Sequence, residues 1–158
     1  MIKISTPNLK AVIKQIESRQ KQISKKSTEL VNELADRGND MLAERLSTAS
    51  YAGDMYAEVE PVQKEDNGVS IGIKGESVTF IEFGTGTYYP DNHPLMDEFQ
   101  FARGEFGKKR GANPPWYFRN EGGELIRTLG NEANRVVYNT GKALREETAE
   151  IAKEVFKK

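Results

Sequence analysis

The chain has 158 residues, with 23 Lys+Arg against 24 Asp+Glu, one histidine and no cysteine. That length suits a single domain able to bury a core, and a net charge near zero removes the electrostatic case for general nucleic-acid binding, which rests on many phosphate-neutralising cations. The absence of cysteine excludes disulfides and thiolate metal sites and fits synthesis in a reducing compartment, and no apolar run approaches the roughly 20 residues of a membrane span or forms a signal-peptide core.

Met1-Ile2-Lys3-Ile4 opens the chain as a short strand or a tail. Thr6 as N-cap and Pro7 at the first helical position, where its missing N–H costs nothing, start a helix. Leu9, Val12, Ile16, Ile23, Leu30, Leu34 and Met41 continue it as an apolar stripe at spacings of three, four and seven. Between Glu17 and Glu29 only Ile23 is strongly apolar, too little to hold a helix by packing within one chain. Unbroken over residues 7–46, the helix would reach roughly 60 Å, more than a domain of this size spans. Either it breaks at Gly38, or part of it extends to pack on another chain.

Small residues from Ser47 to Asp54 interrupt the pattern. Residues 56–60 and 69–73 then alternate as strands do, joined through Asp66-Asn67-Gly68, a hairpin turn signal. Gly75-Glu76-Ser77 turns the chain into Val78-Thr79-Phe80-Ile81-Glu82-Phe83, a β-branched and aromatic run that reads as a central strand. Gly84-Thr85-Gly86 ends it in a sharp turn. The expectation is a three-stranded antiparallel meander over residues 56–86, polar outside, its inner face on the helices. Glu82, the run's one charge, is expected to accept hydrogen bonds from backbone N–H groups of the Gly84-Thr85-Gly86 turn.

Residues 87–121 hold four of the six prolines and eight aromatics, together with the basic run Lys108-Lys109-Arg110. A loop of that length inside a compact domain is usually functional or partly disordered, and its aromatic content argues against full disorder. Trp116, Tyr117 and Phe118, stiffened by Pro114-Pro115, are the candidate partner-binding residues, with Trp116 as a plug for the sheet's open face as the alternative. Residues 122–157 read as a second helix, with Leu125, Leu129, Ala133, Val136, Thr140, Leu144, Ile151 and Val155 on one face. The fold class is therefore α+β: one domain, a small antiparallel β-meander packed against long N-terminal and C-terminal helices.

The chemical signals are mostly negative. Asp91-x-His93-x3-Asp97 resembles a metal cluster only superficially, because no second histidine and no cysteine accompany it. Gly84-x-Gly86-x-x-Tyr89 lacks the third glycine and the following helix of a dinucleotide site, and no Gly-Lys-Ser/Thr ending marks a phosphate loop. Glu82 could act as a catalytic acid only with a partner, and no second carboxylate is placed beside it by a recognisable spacing. No catalytic, cofactor-binding or metal-binding residue is assigned, and no cofactor is expected.

Phe80-Ile81-Glu82-Phe83-Gly84-Thr85-Gly86, then His93-Pro94, then Asn113-Pro114-Pro115-Trp116-Tyr117-Phe118, resembles the tail-component family of long-tailed bacteriophages. Its members are minor tail, tail completion or head–tail joining proteins. The family pattern is a long amphipathic N-terminal helix, a small β-meander ending in this Glu-Phe-Gly-Thr-Gly strand, a variable loop with a Pro-aromatic motif, and a C-terminal helix. One departure lies before the first strand, where Ser47–Gly53 stands in only loosely for the family's Pro-x-x-Thr-Gly-x-Leu stretch. The resemblance implies a non-catalytic virion assembly protein, made in the host bacterial cytoplasm and residing in the tail or at the head–tail junction. Its expected partners are other tail or neck proteins and further copies of itself about the tail axis, with no membrane. Two alternatives stand beside it. One is a nucleic-acid-contacting module at the DNA passage, using Lys21, Lys25, Lys26 and Lys108-Lys109-Arg110, which the charge balance does not indicate. The other is a small hydrolase using Glu82 with Asp91 and His93.

Overall fold

Helix α1 runs unbroken from Thr6 to Ser47, 42 residues and about 63 Å at a rise of about 1.5 Å per residue. The computed structural model describes residues 6–49, 56–65, 68–85, 93–95, 98–99, 116–120 and 122–157, and the side chains of all of these but 6, 7, 116 and 118. Gly38 does not break the helix. It sits buried, and a Cβ there would overlap Ile71 Cδ1 and come within 2.8 Å of Leu144 Cδ1. The glycine therefore lets a β-hairpin and the C-terminal helix approach α1 at one level, which offsets the roughly 1 kcal/mol that glycine loses to alanine inside a helix.

The first hairpin consists of β1 (Glu58–Val59), β2 (Gln63–Glu65), β3 (Gly68–Ser70) and β4 (Ile73–Lys74), with β1 antiparallel to β4 and β2 to β3. Glu60 N–H donates to Gly72 C=O at 2.9 Å, joining the two ladders into one long ribbon. The register shifts between them, so that residues 60–62 oppose only residues 71–72. Pro61 lies in this bulge, where a residue without an N–H costs the ladder nothing.

The expected third strand does not form. Val78–Phe83 is helix α2, and the ribbon has two arms rather than three. Ile81 and Glu82, neighbours in sequence, are both buried. A strand would send them to opposite faces, whereas a helix places Val78, Ile81 and Glu82 together. Tertiary burial here overrides the β propensity of the branched residues.

A second correction concerns residues 122–157. Leu125–Thr128 is strand β6, antiparallel to β5 (Trp116–Arg119), and helix α3 begins only at Val136 and runs to Lys157. Exposure alternates along β6, with Leu125 and Arg127 outward and Ile126 and Thr128 half-buried, a period of two that the i, i+4 spacing of Leu125 and Leu129 masks. The second hairpin thus takes up the end of the expected long loop; the rest of residues 87–121 lies mostly outside the described residues, Lys108-Lys109-Arg110 included.

Helix α3 packs antiparallel on the second half of α1: Arg37 pairs with Glu147 at 2.6 Å, and Lys26 Nζ donates to Val155 C=O at 2.7 Å. Leu42, Leu46, Ile81 and Val136 form the buried core, with Val59, Ile71 and Ile73 of the first hairpin against it. The architecture is α+β, two long helices with small two-stranded antiparallel sheets. Among the described residues no helix is long and apolar enough to cross a membrane. Ahead of Lys26, every described residue from Asn8 to Lys25 is exposed. About 20 residues of α1, roughly 30 Å, therefore project beyond the body.

Candidate functional site

The chemistry of the molecule concentrates where α2 meets the start of α3. Ser77 fixes one end of α2 by exchanging hydrogen bonds with Tyr56: its N–H donates to Tyr56 C=O at 3.2 Å and its Oγ accepts from Tyr56 N–H at 3.3 Å. At the other end Gly84 has φ 74°, and a Cβ there would stand 2.7 Å from both Ala133 N and Asn131 O. Only glycine suits both the left-handed backbone and this close approach. Thr85 N–H donates to Asn131 C=O at 2.9 Å, Thr85 Oγ1 bonds Asn131 Oδ1 at 2.7 Å, and Asn131 Nδ2 donates to Phe80 C=O at 3.1 Å. This clamp holds α2 against the segment leading into α3.

Glu82 is thereby aimed at the N-terminus of α3. Its Oε2 accepts from Val137 N–H at 2.8 Å and its Oε1 from Tyr138 N–H at 2.9 Å. The first N–H groups of a helix have no intrahelical acceptor, and the residue before Val136 is Arg135, which has no acceptor to offer. The cap is supplied instead by a carboxylate 55 residues earlier, placed where the helix dipole favours negative charge. The expected role of Glu82 as an acceptor of backbone N–H groups holds in kind, but the donors belong to α3 and not to the Gly84-Thr85-Gly86 turn. Gly86 itself lies outside the described residues.

His93 completes the site. Its Nδ1 accepts from Leu95 N–H at 3.1 Å, so the ring proton sits on Nε2, which donates to Glu82 Oε1 at 3.0 Å. Phe83 lies against the imidazole with ring centroids 4.4 Å apart, and Tyr138 meets it edge-on at 5.3 Å. The side chains of Glu82 and His93 are only 8 % and 1 % exposed. No sequence spacing pairs the one histidine with Glu82; the hydrolase alternative names both residues, and the structure brings them together as a buried contact at the start of α3. Asp91, the third member of that set, lies outside the described residues.

The Glu82–His93 pair is engaged in structural hydrogen bonds. Both imidazole nitrogens are engaged, and Oε1 already accepts two hydrogen bonds. Among the described residues no group of three His, Asp or Glu is arranged to hold a metal. What the site does is lock α2, the His93 segment and the start of α3 into one unit.

Of the other candidates, Tyr117 is 61 % exposed, on the same face of the second hairpin as its cross-strand partner Arg127. The side chains of Trp116 and Phe118 lie outside the described set. Compared with family models, with curated proteins and with solved structures, the chain finds no match.

Proposed function

We propose that the chain is a non-catalytic structural assembly protein of a bacteriophage tail or neck, working in tail completion or head–tail joining in several copies alongside other tail or neck proteins. The observation that carries the assembly role is the projecting half of α1. Leu9, Val12, Ile13, Ile16 and Ile23 stand between 46 and 58 % exposed, Ile23 across an open pocket from Phe156 and the other four beyond it. Burying an aliphatic side chain is worth about 1.5–3 kcal/mol, so five half-exposed ones hold roughly 4–7 kcal/mol in reserve for another chain. The use of the buried Glu82–His93 pair as a helix cap supports a structural role for it. The tail or neck location rests on the likeness of the segment from Phe80 to Gly86, and of the Pro-aromatic segment at 113–118, to the tail-component family.

Deleting the gene from the phage that carries it tests this reading. The expected result is a lysate of heads and tails that fail to join or finish, with infectious particles restored when the chain is supplied from a plasmid. Undiminished yields of complete particles from the deletion would refute it.

A further inference from the structure

The side of α1 that carries Ile23 is the side on which α3 lies. Arg37 meets Glu147, Gly38 faces Leu144, and nearer the projection Lys26 Nζ reaches Val155 C=O, so the last turn of α3 stands beside Ile23. Ile16 and Leu9 precede Ile23 by seven and fourteen residues. Seven residues fall about 20° short of two full turns, so all three keep to one side of the helix. Val12, four before Ile16, joins them. The line of α3, prolonged past Phe156, therefore runs over Ile16 and Leu9, where no described residue covers α1. At the near end of this uncovered track lies a pocket of about 550 Å³ between Ile23 and Phe156, and Phe156 is itself 48 % exposed.

We propose that the projections of two copies of this chain pair antiparallel along this face, about a two-fold axis at Ile16, each tip reaching the Ile23–Phe156 pocket of the other. The proposal goes beyond the tail reading and names what covers the ladder in the free chain. Direction follows from α3. Helix α1 is unbroken to Ser47, so a parallel partner lying on the ladder would run on past Lys26 into the space that α3 fills. An antiparallel partner instead carries its body away beyond Thr6. With Ile16 level with Ile16, Leu9 of each copy comes level with Ile23 of the other, beside Phe156. Charge permits the contact. Lys10, Lys14 and Lys21 stand two residues before Val12, Ile16 and Ile23, and two residues turn a helix by about 200°, so these cations face away from the seam. Uncharged Gln15, Gln20 and Gln22 flank it. Arg19 is the one charge within the stripe, and the two-fold sets it level with Ile13 of the other copy, about 9 Å along the axis from the other Arg19. Its long stem can carry the guanidinium out to water. Pairing over residues 9–23, with both tips in their pockets, buries on the order of 1,000 Å² in total, the size of a weak but specific interface. A membrane surface also takes an apolar face backed by lysines, but this stripe has no aromatic residue and repeats every seven residues, as paired helices do. A two-fold pair points its bodies in opposite directions, whereas copies about a tail axis share one direction. The pair therefore belongs to the free chain and gives way to another neighbour on assembly.

Sedimentation velocity of the purified full chain between about 1 and 100 μM, where a weak interface dissociates, is the test. The wild type is expected to pass from monomer to dimer, with less than about a twofold change in dissociation constant between about 0.05 and 0.5 M salt, because the seam holds no ion pair. Ile16→Glu sets two carboxylates against each other at the two-fold and is expected to weaken association at least about tenfold. Lys14→Glu, on the far face, is expected to leave it unchanged. Both positions are exposed, and near-ultraviolet circular dichroism checks the body alone, since residues 6–49 contain no aromatic. The chain has no cysteine, so single substitutions report direction. A short bis-maleimide is expected to join Ile16→Cys to itself, and Leu9→Cys to Ile23→Cys in a mixture, while leaving Leu9→Cys alone and Ile23→Cys alone unjoined. A wild type monomeric throughout, including one that binds anionic vesicles through the ladder, would overturn the proposal. So would Ile16→Glu dimerising as the wild type does, Lys14→Glu failing to dimerise, Leu9→Cys joining itself as fully as Ile16→Cys, or a Leu9→Cys and Ile23→Cys mixture that stays unjoined. A dimeric chain absent from particles would uphold the pairing and remove the tail reading; a monomeric chain present in particles would do the reverse.

Discussion

Replacing Glu82 with leucine should separate a structural cap from an incidental contact. The substitution removes the acceptor of two N–H groups at the start of α3 and of the buried His93 Nε2–H. Loss of a helix cap costs about 1 kcal/mol. A buried imidazole N–H left without an acceptor adds about 1–3 kcal/mol. Leucine returns part of this by burying more apolar surface, and the Val137 and Tyr138 amides are half-buried, so water can reach them. The net expectation is a loss of roughly 1–3 kcal/mol, a sizeable share of the roughly 5–15 kcal/mol that holds a typical domain. Glu82→Gln should fall between the two, about 1–2 kcal/mol, because both carboxylate oxygens accept and an amide keeps only one acceptor. Urea titration gives the stabilities, and amide hydrogen exchange at Val137 and Tyr138 shows whether the first turn of α3 has opened. A Glu82→Leu protein within about 0.5 kcal/mol of wild type, with those two amides equally protected, would refute the cap.

Gly84→Ala should cost about 2–4 kcal/mol in the same titration, since its φ of 74° and the backbone atoms at 2.7 Å leave a methyl group no room. Gly38→Val should lose about 1–3 kcal/mol through overlap with Ile71 and Leu144, while in Gly38→Ala the gain in helix propensity offsets much of a smaller clash. In the isolated chain, amides of residues 9–25 should exchange faster than those of residues 30–46, and slow down in assembled particles; equal protection of both halves in the monomer would contradict an unsupported projection. Tyr117→Ser should leave monomer stability within about 0.5 kcal/mol, because the ring is 61 % exposed, yet lower incorporation into particles if this hairpin face meets a partner.

Much of the fold was legible wherever one period dominated. Leu30, Leu34 and Met41 marked the packed half of α1, and alternation about Asp66-Asn67-Gly68 marked the first hairpin. The isolation of Ile23 among polar residues fits only part of the projecting stretch, because Leu9, Val12 and Ile16 continue the apolar stripe in sequence and yet are exposed. Reading failed where tertiary burial chose against local preference. Val78–Phe83 has strand composition, but Ile81 must enter the core while Glu82 reaches α3, and only a helix turns both the same way. Leu125, Leu129 and Ala133 fit a helical face by spacing, yet Gly130 at φ 93° and Arg135 at φ 55° stand before the helix that follows. The Glu82 cap joins residues 55 positions apart, a distance no local pattern spans. The one available hint was the absence of Ser, Thr, Asp or Asn immediately before Val136, which left that helix start waiting for an acceptor from elsewhere.

A density map of the tail and neck of complete particles bears on the central claim most directly. The expected result is several copies of this chain about the tail axis, each with Leu9–Ile23 of its first helix buried against a neighbour. Complete particles whose tail and neck density is fully accounted for by other chains would contradict it.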